Sequence, residues 1–273
     1  MRSVSDAVIG AIPAPLIYRL QDHRVIANTI RSMVNLVVPK NLVNVTVARC
    51  PMRGARLSLY LRREKAFWLG TYEPDVQRIL CERLHPGQIA WDVGAFVGYH
   101  TLLMCRLCGP SNVVAIEPDS ENALRLWKNL RQNGFHDARV VGAALGAHVG
   151  RGLLRRNALD RRQNVVEEIG AGETGEQGGI EVAVKTLDSM LQTYGPPTLI
   201  KADVEGAEDL MLQGSVRLID EVRPFWILEI HGLPGQNAIR MLEKSGYQVR
   251  YLRNGERSSA DYPVGSQHIL AVP

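Results

Sequence analysis

The sequence predicts an α/β fold built on a doubly wound, mostly parallel sheet. From Gln88 onward, short apolar runs of strand length alternate with longer segments whose apolar residues recur at helical spacing. The first run leads through an acid and two glycines into a helical pattern, in the stretch IAWDVGAFVGYHT from Ile89 to Thr101. Strands that alternate with helices pair in parallel and carry helices on both faces of the sheet.

The residues before this alternation form a separate extension. We assign residues 1–85 to an N-terminal helical segment and a β-hairpin, and residues 86–273 to the sheet domain. Residues 1–40 have a helical pattern. Two alternating runs, VNVTVA from Val43 and RLSLYL from Arg56, flank the turn-forming PMRG and predict the hairpin.

The remaining elements follow from periodicity and from helix start and stop signals. Strands are predicted at IAWDV from Ile89, NVVAIEP from Asn112, RVVGAA from Arg139, TLIKAD from Thr198, PFWILEIH from Pro224, YQVRYL from Tyr247 and HILAV from His268. Helices are predicted over residues 75–84, 99–108, 120–132, 206–212 and 237–245. The last two strands predict an antiparallel edge. The glycine-rich run over 170–179 predicts a loop, either a lid over the substrate or a surface insertion.

Composition indicates an ordinary protein of the reducing, cytoplasmic compartment. Hydrophobic residues make up 45% and charged residues 22% of the 273 residues, enough for a sizeable core. The net charge of +4 comes from scattered basic residues, which does not indicate nucleic acid. The pair Cys105 and Cys108 lies on a predicted helix with no second ligand pair, so we expect buried thiols rather than a zinc site.

The N-terminal apolar stretch over residues 8–18 does not have the pattern of a targeting signal. It is broken by Pro13 and Pro15, lacks a small-residue cleavage site and is too short to span a bilayer. We expect residues through Val38 to pack on the domain or on a second subunit, which makes a homodimer plausible. Peripheral contact with a membrane surface is the alternative.

The turn after the first sheet strand reads DVGAFVG, from Asp92 to Gly98. A dinucleotide favours GxGxxG, whereas here Asp92 takes the place of the first glycine. Two unit charges about 4 Å apart interact by roughly 1 kcal/mol in water and about 4 kcal/mol at an effective dielectric of about 20. An aspartate would repel a pyrophosphate by that order of energy and would attract an ammonium or sulfonium. The turn therefore predicts a cationic cofactor.

The next strand ends in Glu117 and Pro118, about 20 residues past Gly94. An acid at this distance is positioned to accept hydrogen bonds from both ribose hydroxyls. A ribose with an amino-acid ammonium and no phosphates describes S-adenosyl-L-methionine. The alternative is a tight turn that binds nothing, with Glu117 solvated.

Taken in order, these motifs resemble the FkbM-type family of S-adenosylmethionine-dependent methyltransferases. The resemblance covers roughly residues 57–272 and rests on GTYEP from Gly70, DVGAFVGYHT from Asp92, AIEP from Ala115, TLD from Thr186, IKADVEGAE from Ile200 and LEIH from Leu228. It implies a Rossmann-like class I methyltransferase fold. It also implies methyl transfer, typically to a hydroxyl oxygen of a sugar, polyketide or other natural product.

The resemblance also implies a cofactor pocket. Its residues would be Glu73, Asp92, Gly94, Ala95, Gly98, Thr101, Glu117, Pro118, Ala143 and Asp203, with Glu73 and Ala143 at the rim. Asp203 would lie near the methionine moiety and the reacting centre. The sequence departs from the family pattern at Phe96, where asparagine is common, and at His100, where an aromatic residue is common.

A neutral hydroxyl must lose its proton during transfer, so a general base is expected on the same rim. Glu229 and His231 lie two apart on one predicted strand and point to the same face. His231 has the ordinary pKa nearest neutrality and is the predicted base. Further candidates are Asp203 and His100.

Three alternatives stay open for these catalytic candidates. The run DVEGAE from Asp203 is also typical of a capped helix start, and His231 also suits the role of orienting a carboxylate. Asp203, Glu205 and Glu229 with His231 also suit a divalent metal ion, although no metal is expected.

The leading prediction is in-line O-methylation of a small-molecule or glycan acceptor, with S-adenosyl-L-homocysteine as product. The alternatives are an N-methyltransferase acting on a small molecule or protein, and a cofactor-binding subunit without catalysis. No nucleic acid partner is expected, because the sequence has neither a basic stripe nor an aromatic stacking platform. The pairs Arg155–Arg156 and Arg161–Arg162 either contact an acidic substrate or form a solvated surface.

Overall fold

The structure, a computed structural model, describes residues 41–156, 164–169, 179–252 and 267–273. The predicted N-terminal helices, the pair Arg161–Arg162 and nearly all of the predicted lid lie outside the described residues. The chain separates into two compact units between Pro74 and Asp75. The predicted domain division between residues 85 and 86 stays a prediction.

The first unit contains the predicted hairpin, which is confirmed. Strand β1 (Val43–Thr46) pairs antiparallel with β2 (Arg56–Leu59). A short helix, α1 (Lys65–Leu69), follows and ends at Gly70, whose φ of +74° ends the helix in the left-handed conformation that glycine adopts without strain.

The second unit is an α/β layer structure. Its strands are β3 (Ala90–Val93), β4 (Val113–Ile116), β5 (Arg139–Val141), β6 (Ala144–Leu145), β7 (Gly150–Arg155), β8 (Val165–Ile169), β9 (Ile180–Lys185), β10 (Leu199–Ala202), β11 (Phe225–Ile230), β12 (Gln248–Tyr251) and β13 (Gln267–Val272). Its helices are α2 (Pro74–Arg83), α3 (Tyr99–Cys108), α4 (Ser120–Gln132), α5 (Leu187–Tyr194), α6 (Glu208–Gln213) and α7 (Gly232–Lys244), with a 3₁₀ turn at Pro110–Asn112 and a π turn at Leu218–Val222.

The main sheet has seven strands in the order β12-β13-β11-β10-β3-β4-β5. Strands β11, β10, β3, β4 and β5 pair in parallel, so their carboxyl ends meet at one edge. The order reverses between β3 and β10, which is where open α/β sheets bind ligands. This arrangement confirms the predicted doubly wound, mostly parallel fold.

The predicted antiparallel edge is also confirmed, with one refinement. Strand β13 runs antiparallel to both β11 and β12 and lies between them, so β12 occupies the edge itself.

A second sheet of four strands, in the order β6-β9-β7-β8, was not predicted from the sequence. The single strand predicted from Arg139 is in fact two strands, β5 and β6, that belong to different sheets. The predicted helix at 237–245 begins earlier, at Gly232. Pro234 fits this start, because a proline in the first helical turn lacks only an N–H that would have no partner within the helix.

The core of the second unit lies on both faces of the main sheet. Strands β3, β4 and β10 are buried at every position, as expected of central parallel strands covered by helices. Trp91 and Trp226 are among the largest fully buried side chains. Within the described residues, no helix has the length and hydropathy needed to cross a membrane.

All four cysteines are free thiols. Cys105 and Cys108 are buried on α3, and the Cys108 thiol donates to the Met104 carbonyl at 3.0 Å. Burial raises the pKa of Cys108 to about 11. This confirms the expectation of buried thiols. Cys50 and Cys81 are exposed, the first in the N-terminal unit and the second in the sheet unit.

Candidate functional site

The site lies where four neighbouring strands end. The pairing of Val93 with Ile116 and of Ala202 with both Val93 and Leu228 defines the register of these ends. One position further along each strand, the register aligns a row of residues across the sheet edge: Glu117, Gly94, Asp203 and Glu229. Three of the four are acidic.

The turn between β3 and α3 is held by backbone hydrogen bonds. The N–H groups of Gly94 and Ala95 both donate to the Ile116 carbonyl at 3.0 Å, which ties the turn to the end of β4. Gly98 caps α3 with φ +85°, and a β-carbon there would stand 2.3 Å from Leu126 Cδ1. The glycine at this position is therefore explained by packing against α4.

Asp92 lies two residues before this row, on β3, and is 1% exposed. Its Oδ2 accepts a hydrogen bond from Thr101 Oγ1 at 2.5 Å. Thr101 is fully buried in the first turns of α3, so the predicted cofactor residues Asp92 and Thr101 are brought together.

Glu117 lies at the end of β4 with both carboxylate oxygens engaged by the chain. Oε2 accepts the Phe96 N–H and Oε1 accepts the Asp119 N–H, each at 2.9 Å. Burial raises the pKa of Glu117 to about 7, because desolvation outweighs these hydrogen bonds and a weaker one from Asn122. The carboxyl group therefore titrates near neutral pH.

Phe96 has a φ of +49° and so occupies the left-handed region. Asparagine enters this region more easily than a bulky aromatic residue does, which is a physical reason for the asparagine common in the family. The Arg125 guanidinium lies 5.6 Å from the centre of the Phe96 ring, a cation–π contact that partly compensates this strain.

A partly buried ion pair lies next to Glu117. Asp119 is fully buried and caps α4, where its Oδ1 accepts the Glu121 N–H at 2.8 Å. Arg156 donates to both Asp119 oxygens at 2.7 Å and to Glu121 Oε1 at 2.7 Å. Burial favours the neutral acid, but Arg156 outweighs it and holds the pKa of Asp119 below its ordinary value. The chain itself therefore holds the Arg156 guanidinium, so Arg156 is not part of a solvated surface and does not need a substrate to position it.

Asp203 lies opposite the turn. Its N–H donates to the Val93 carbonyl at 3.1 Å, and its own carbonyl packs against Gly94, where a β-carbon would stand 1.8 Å away. Gly94 is therefore required by the approach of this neighbouring backbone. The buried Lys201 places its Nζ 3.9 Å from Asp203 Oδ2.

Acidic side chains surround the imidazole of His231. We use the name carboxylate–histidine cluster for Asp203, Glu205, Glu208, Glu229 and His231. His231 Nδ1 bonds Glu208 Oε1 at 2.6 Å. His231 Nε2 lies 3.4 Å from Glu205 Oε2 and 3.7 Å from Glu229 Oε1. Glu229 Oε2 also lies 3.5 Å from His268 Nε2. The structure thus brings three of the four catalytic candidates together.

The cluster changes the interpretation of His231. Burial of the ring lowers its pKa, but the hydrogen bond to Glu208 and the charges of Glu205 and Asp203 outweigh this and raise the pKa to about 9. At neutral pH in this arrangement His231 carries a proton, which does not suit a general base. Orientation by a carboxylate, the alternative left open by the sequence, describes its contact with Glu208.

The remaining predicted residues do not belong to the carboxylate–histidine cluster. His100 is buried in the first turn of α3, with its ring edge-to-face against Tyr99 at 5.4 Å between centroids. Ala143 is buried between β5 and β6, and Pro118 is half-buried after β4. Glu73, in the N-terminal unit, precedes α2 with φ +44°. Their roles stay predictions.

The sequence did not predict Asp119, or that Arg156 pairs with it. Asp119 carried a signal, since an acid before Ser120 and Glu121 is typical of a helix N-cap. Arg156 carried none, because its partner lies 37 positions earlier in the chain. Glu208 was placed at a helix start, and its Oε1 does accept the Gly206 N–H at 3.1 Å, but its bond to His231 depends on the fold.

Comparison with known proteins identifies related chains. The family model described as the methyltransferase FkbM domain matches residues 92–249. The hexuronic acid methyltransferase AglP of Haloferax volcanii is 25% identical over 176 residues, which cover 63% of this chain and 69% of AglP.

Two solved structures are also similar to this chain. The methyltransferase FkbM from Methylobacillus flagellatus KT has 20% identity and a TM-score of 0.44, over 74% of this chain and 51% of that chain. The precorrin-6y C5,15-methyltransferase from Geobacter metallireducens GS-15 has 15% identity and a TM-score of 0.45, over 73% of this chain and 88% of that chain. The present chain thus spans about half the length of the Methylobacillus protein.

Proposed function

Since this chain belongs to the FkbM methyltransferase family, we propose that it transfers the methyl group of S-adenosyl-L-methionine to a hydroxyl oxygen of a sugar, glycan or related natural product. The product of the cofactor is then S-adenosyl-L-homocysteine. The chain is a methyltransferase, and the predicted resemblance is confirmed. The choice of acceptor atom and acceptor class is the proposal. It is supported by the sugar acid in the name of AglP.

The pair of buried carboxylates beside the glycine turn is the main support for this proposal. Asp92 and Glu117 belong to adjacent parallel strands and are 1% and 5% exposed. Anions in a site with little water attract an ammonium or sulfonium and repel phosphates. A ribose diol supplies two O–H donors, which match the acceptor oxygens of Glu117. The residues present therefore fit a cationic adenosine compound.

The cofactor supplies an already activated methyl group, so the chain has chiefly to align the reactants. Alignment of this kind lowers the activation free energy by about 7–11 kcal/mol. Gly94 and the Asp203 backbone set the two sides of the cleft at a fixed separation, and the turn is locked to β4 by its hydrogen bonds. These contacts hold the donor side of the reaction rigid.

The acceptor hydroxyl loses its proton as its oxygen bonds to the methyl carbon and the carbon–sulfur bond breaks. We assign the proton to Glu229. Its oxygens lie 3.5 and 3.7 Å from the nearest imidazole nitrogens, longer than good hydrogen bonds, so their lone pairs stay available. Glu229 also stands in the row with Glu117 and Asp203 at the strand ends. His231, held by Glu208, lies beside this carboxylate.

Calorimetric titration of the full chain with S-adenosyl-L-methionine tests cofactor binding, with NAD as the matched control. We expect one site for the methionine compound and no heat with NAD. The reverse result would remove the proposal. Transfer of a labelled methyl group to hexoses, hexuronic acids and amino sugars then tests the acceptor. Label confined to amines would replace O-methylation with N-methylation.

A further inference from the structure

Three side chains of the carboxylate–histidine cluster have the spacing of metal ligands. One ligand atom each from Asp203, Glu205 and His231 lie within 4.8 Å of one another. A divalent cation binds oxygen ligands at about 2.0–2.6 Å, so ligands on opposite sides of the ion stand about 4–5 Å apart. The three groups are therefore close enough to share one ion.

The imidazole is oriented as a metal ligand would be. Metal-binding histidines almost always give their other ring N–H to a carboxylate or carbonyl, which fixes the tautomer and aims the free nitrogen at the ion. His231 Nδ1 is held by Glu208 Oε1 at 2.6 Å, and its Nε2 is turned toward Glu205. Glu208 is itself held by the Gly206 N–H.

The charge of the cluster also calls for a cation. The side chain of Glu208 is 1% exposed, and Glu205 and Glu229 are 18% and 16% exposed. Within the described part of the chain, Glu208 Oε2 is buried and has no hydrogen-bond partner. Four neighbouring carboxylates share His231 and the nearby Lys201 as cationic partners, and a bound divalent cation would reduce the repulsion among them.

We propose that Asp203, Glu205 and His231 bind a divalent cation of the Mn²⁺ or Mg²⁺ class at the acceptor side of the cleft. Carboxylates suit these ions, and the imidazole favours Mn²⁺ over Mg²⁺. Binding of the ion displaces the proton that His231 carries in its absence, because only a deprotonated imidazole nitrogen binds a metal. Three protein ligands leave positions open for water and for the acceptor hydroxyl. Binding of the ion stands independently of the proposed function, whereas its contact with the hydroxyl rests on that function.

Titration of the full chain with Mn²⁺, followed by loss of the free-ion paramagnetic resonance signal, tests the site. We expect one bound ion in the wild type and at least about tenfold weaker binding in Glu205→Gln and in His231→Gln. Glu221→Gln is the matched control, since Glu221 is 62% exposed and pairs with Arg217 on the surface. Its affinity for Mn²⁺ should equal that of the wild type.

The proposal would be overturned if the wild type bound no ion at Mn²⁺ concentrations up to about 1 mM. It would also be overturned if the wild type and all three variants had equal affinities for Mn²⁺, because that result indicates adventitious surface binding. Thermal unfolding in EDTA identifies a variant that fails to fold. If either ligand variant does so, the other carries the comparison.

Cofactor titration in EDTA separates this proposal from the proposed function. Binding of S-adenosyl-L-methionine in EDTA, with transfer restored by Mn²⁺, supports both. Transfer that proceeds fully in EDTA overturns only the contact of the ion with the acceptor hydroxyl, while the Mn²⁺ titration decides whether the ion is bound. A bound ion without cofactor binding overturns the proposed function alone.

Discussion

The carbonyl oxygen of Asp203 packs so closely on Gly94 that a β-carbon at position 94 would stand 1.8 Å from it. The contact joins the ends of β3 and β10, where the strand order reverses. It also fixes the spacing between the turn after β3 and Asp203 of the carboxylate–histidine cluster. Gly94 is thus a structural requirement of the site as a whole.

Replacing Gly94 tests this contact. Gly94→Ala adds a backbone clash to a φ of +68°, and we expect a loss of about 2–5 kcal/mol of unfolding free energy together with cofactor binding. Gly87→Ala is the control, because its φ is +85° but no atom lies within 4 Å of the added carbon. It should cost only about 1–2 kcal/mol. Equal losses in urea denaturation would contradict the role of the contact.

The charge of Asp92 is tested by Asp92→Asn. The amide oxygen still accepts the Thr101 hydroxyl, so the fold should persist while the attraction for a cation is lost. A charge-assisted contact is worth about 1.5–3 kcal/mol, which predicts affinity for S-adenosyl-L-methionine roughly 10- to 150-fold weaker by calorimetry. Asp137→Asn, on the exposed surface, should bind as the wild type does. An unchanged Asp92→Asn affinity would place the cofactor elsewhere.

The pKa of Glu117, raised by burial to about 7, predicts a pH dependence of cofactor binding. Above this pH the ionised carboxylate accepts both ribose hydroxyls, and below it the protonated acid offers fewer lone pairs. The affinity should therefore fall about tenfold between roughly pH 8 and pH 6. Glu117→Gln should bind weakly, with a flatter profile. The same slope in this variant would show that another group titrates.

The ion pair of Arg156 and Asp119 predicts a stability difference between neighbouring arginines. Arg156→Leu leaves a fully buried carboxylate without its bidentate partner and should cost about 3 kcal/mol or more. Arg155→Leu removes an exposed pair with Glu167 and should cost under about 1 kcal/mol. Urea denaturation of both variants at neutral pH measures the two costs. Similar costs would mean that the pair of Arg156 and Asp119 contributes little to the free energy of unfolding.

This ion pair also has a definite pH window. The pKa of Asp119 is held below its ordinary value in the folded chain, so its contribution to stability is present above about pH 4. It is lost as the pH falls through the folded pKa. The difference between wild type and Arg156→Leu should therefore shrink in acid.

Local signals explain why parts of the fold were predictable. Helices α3 and α4 begin and end where the sequence placed them, because Gly98, Gly109 and the pair Asn133–Gly134 punctuate strong apolar periods. The acids at Asp92 and Glu117 were found in the same way, because each ends a continuous apolar run.

The second sheet was not predictable by these means. Strand β7 carries apolar residues only in its second half, and β8 and β9 flank a glycine-rich run that dominated the local pattern. Its pairing joins residues far apart in the chain, such as Gly152 and Val182. The contact of Glu208 with His231 is hidden for the same reason, because it spans 23 positions.

The distribution of thiols makes the wild-type chain suitable for spectroscopy without engineered cysteines. A maleimide at neutral pH should modify Cys50 and Cys81 and spare the buried pair on α3. Because one reactive thiol belongs to each compact unit, a donor and an acceptor dye would read out the separation of the units directly. Adding the cofactor to such a labelled sample would then reveal whether binding draws the two units together.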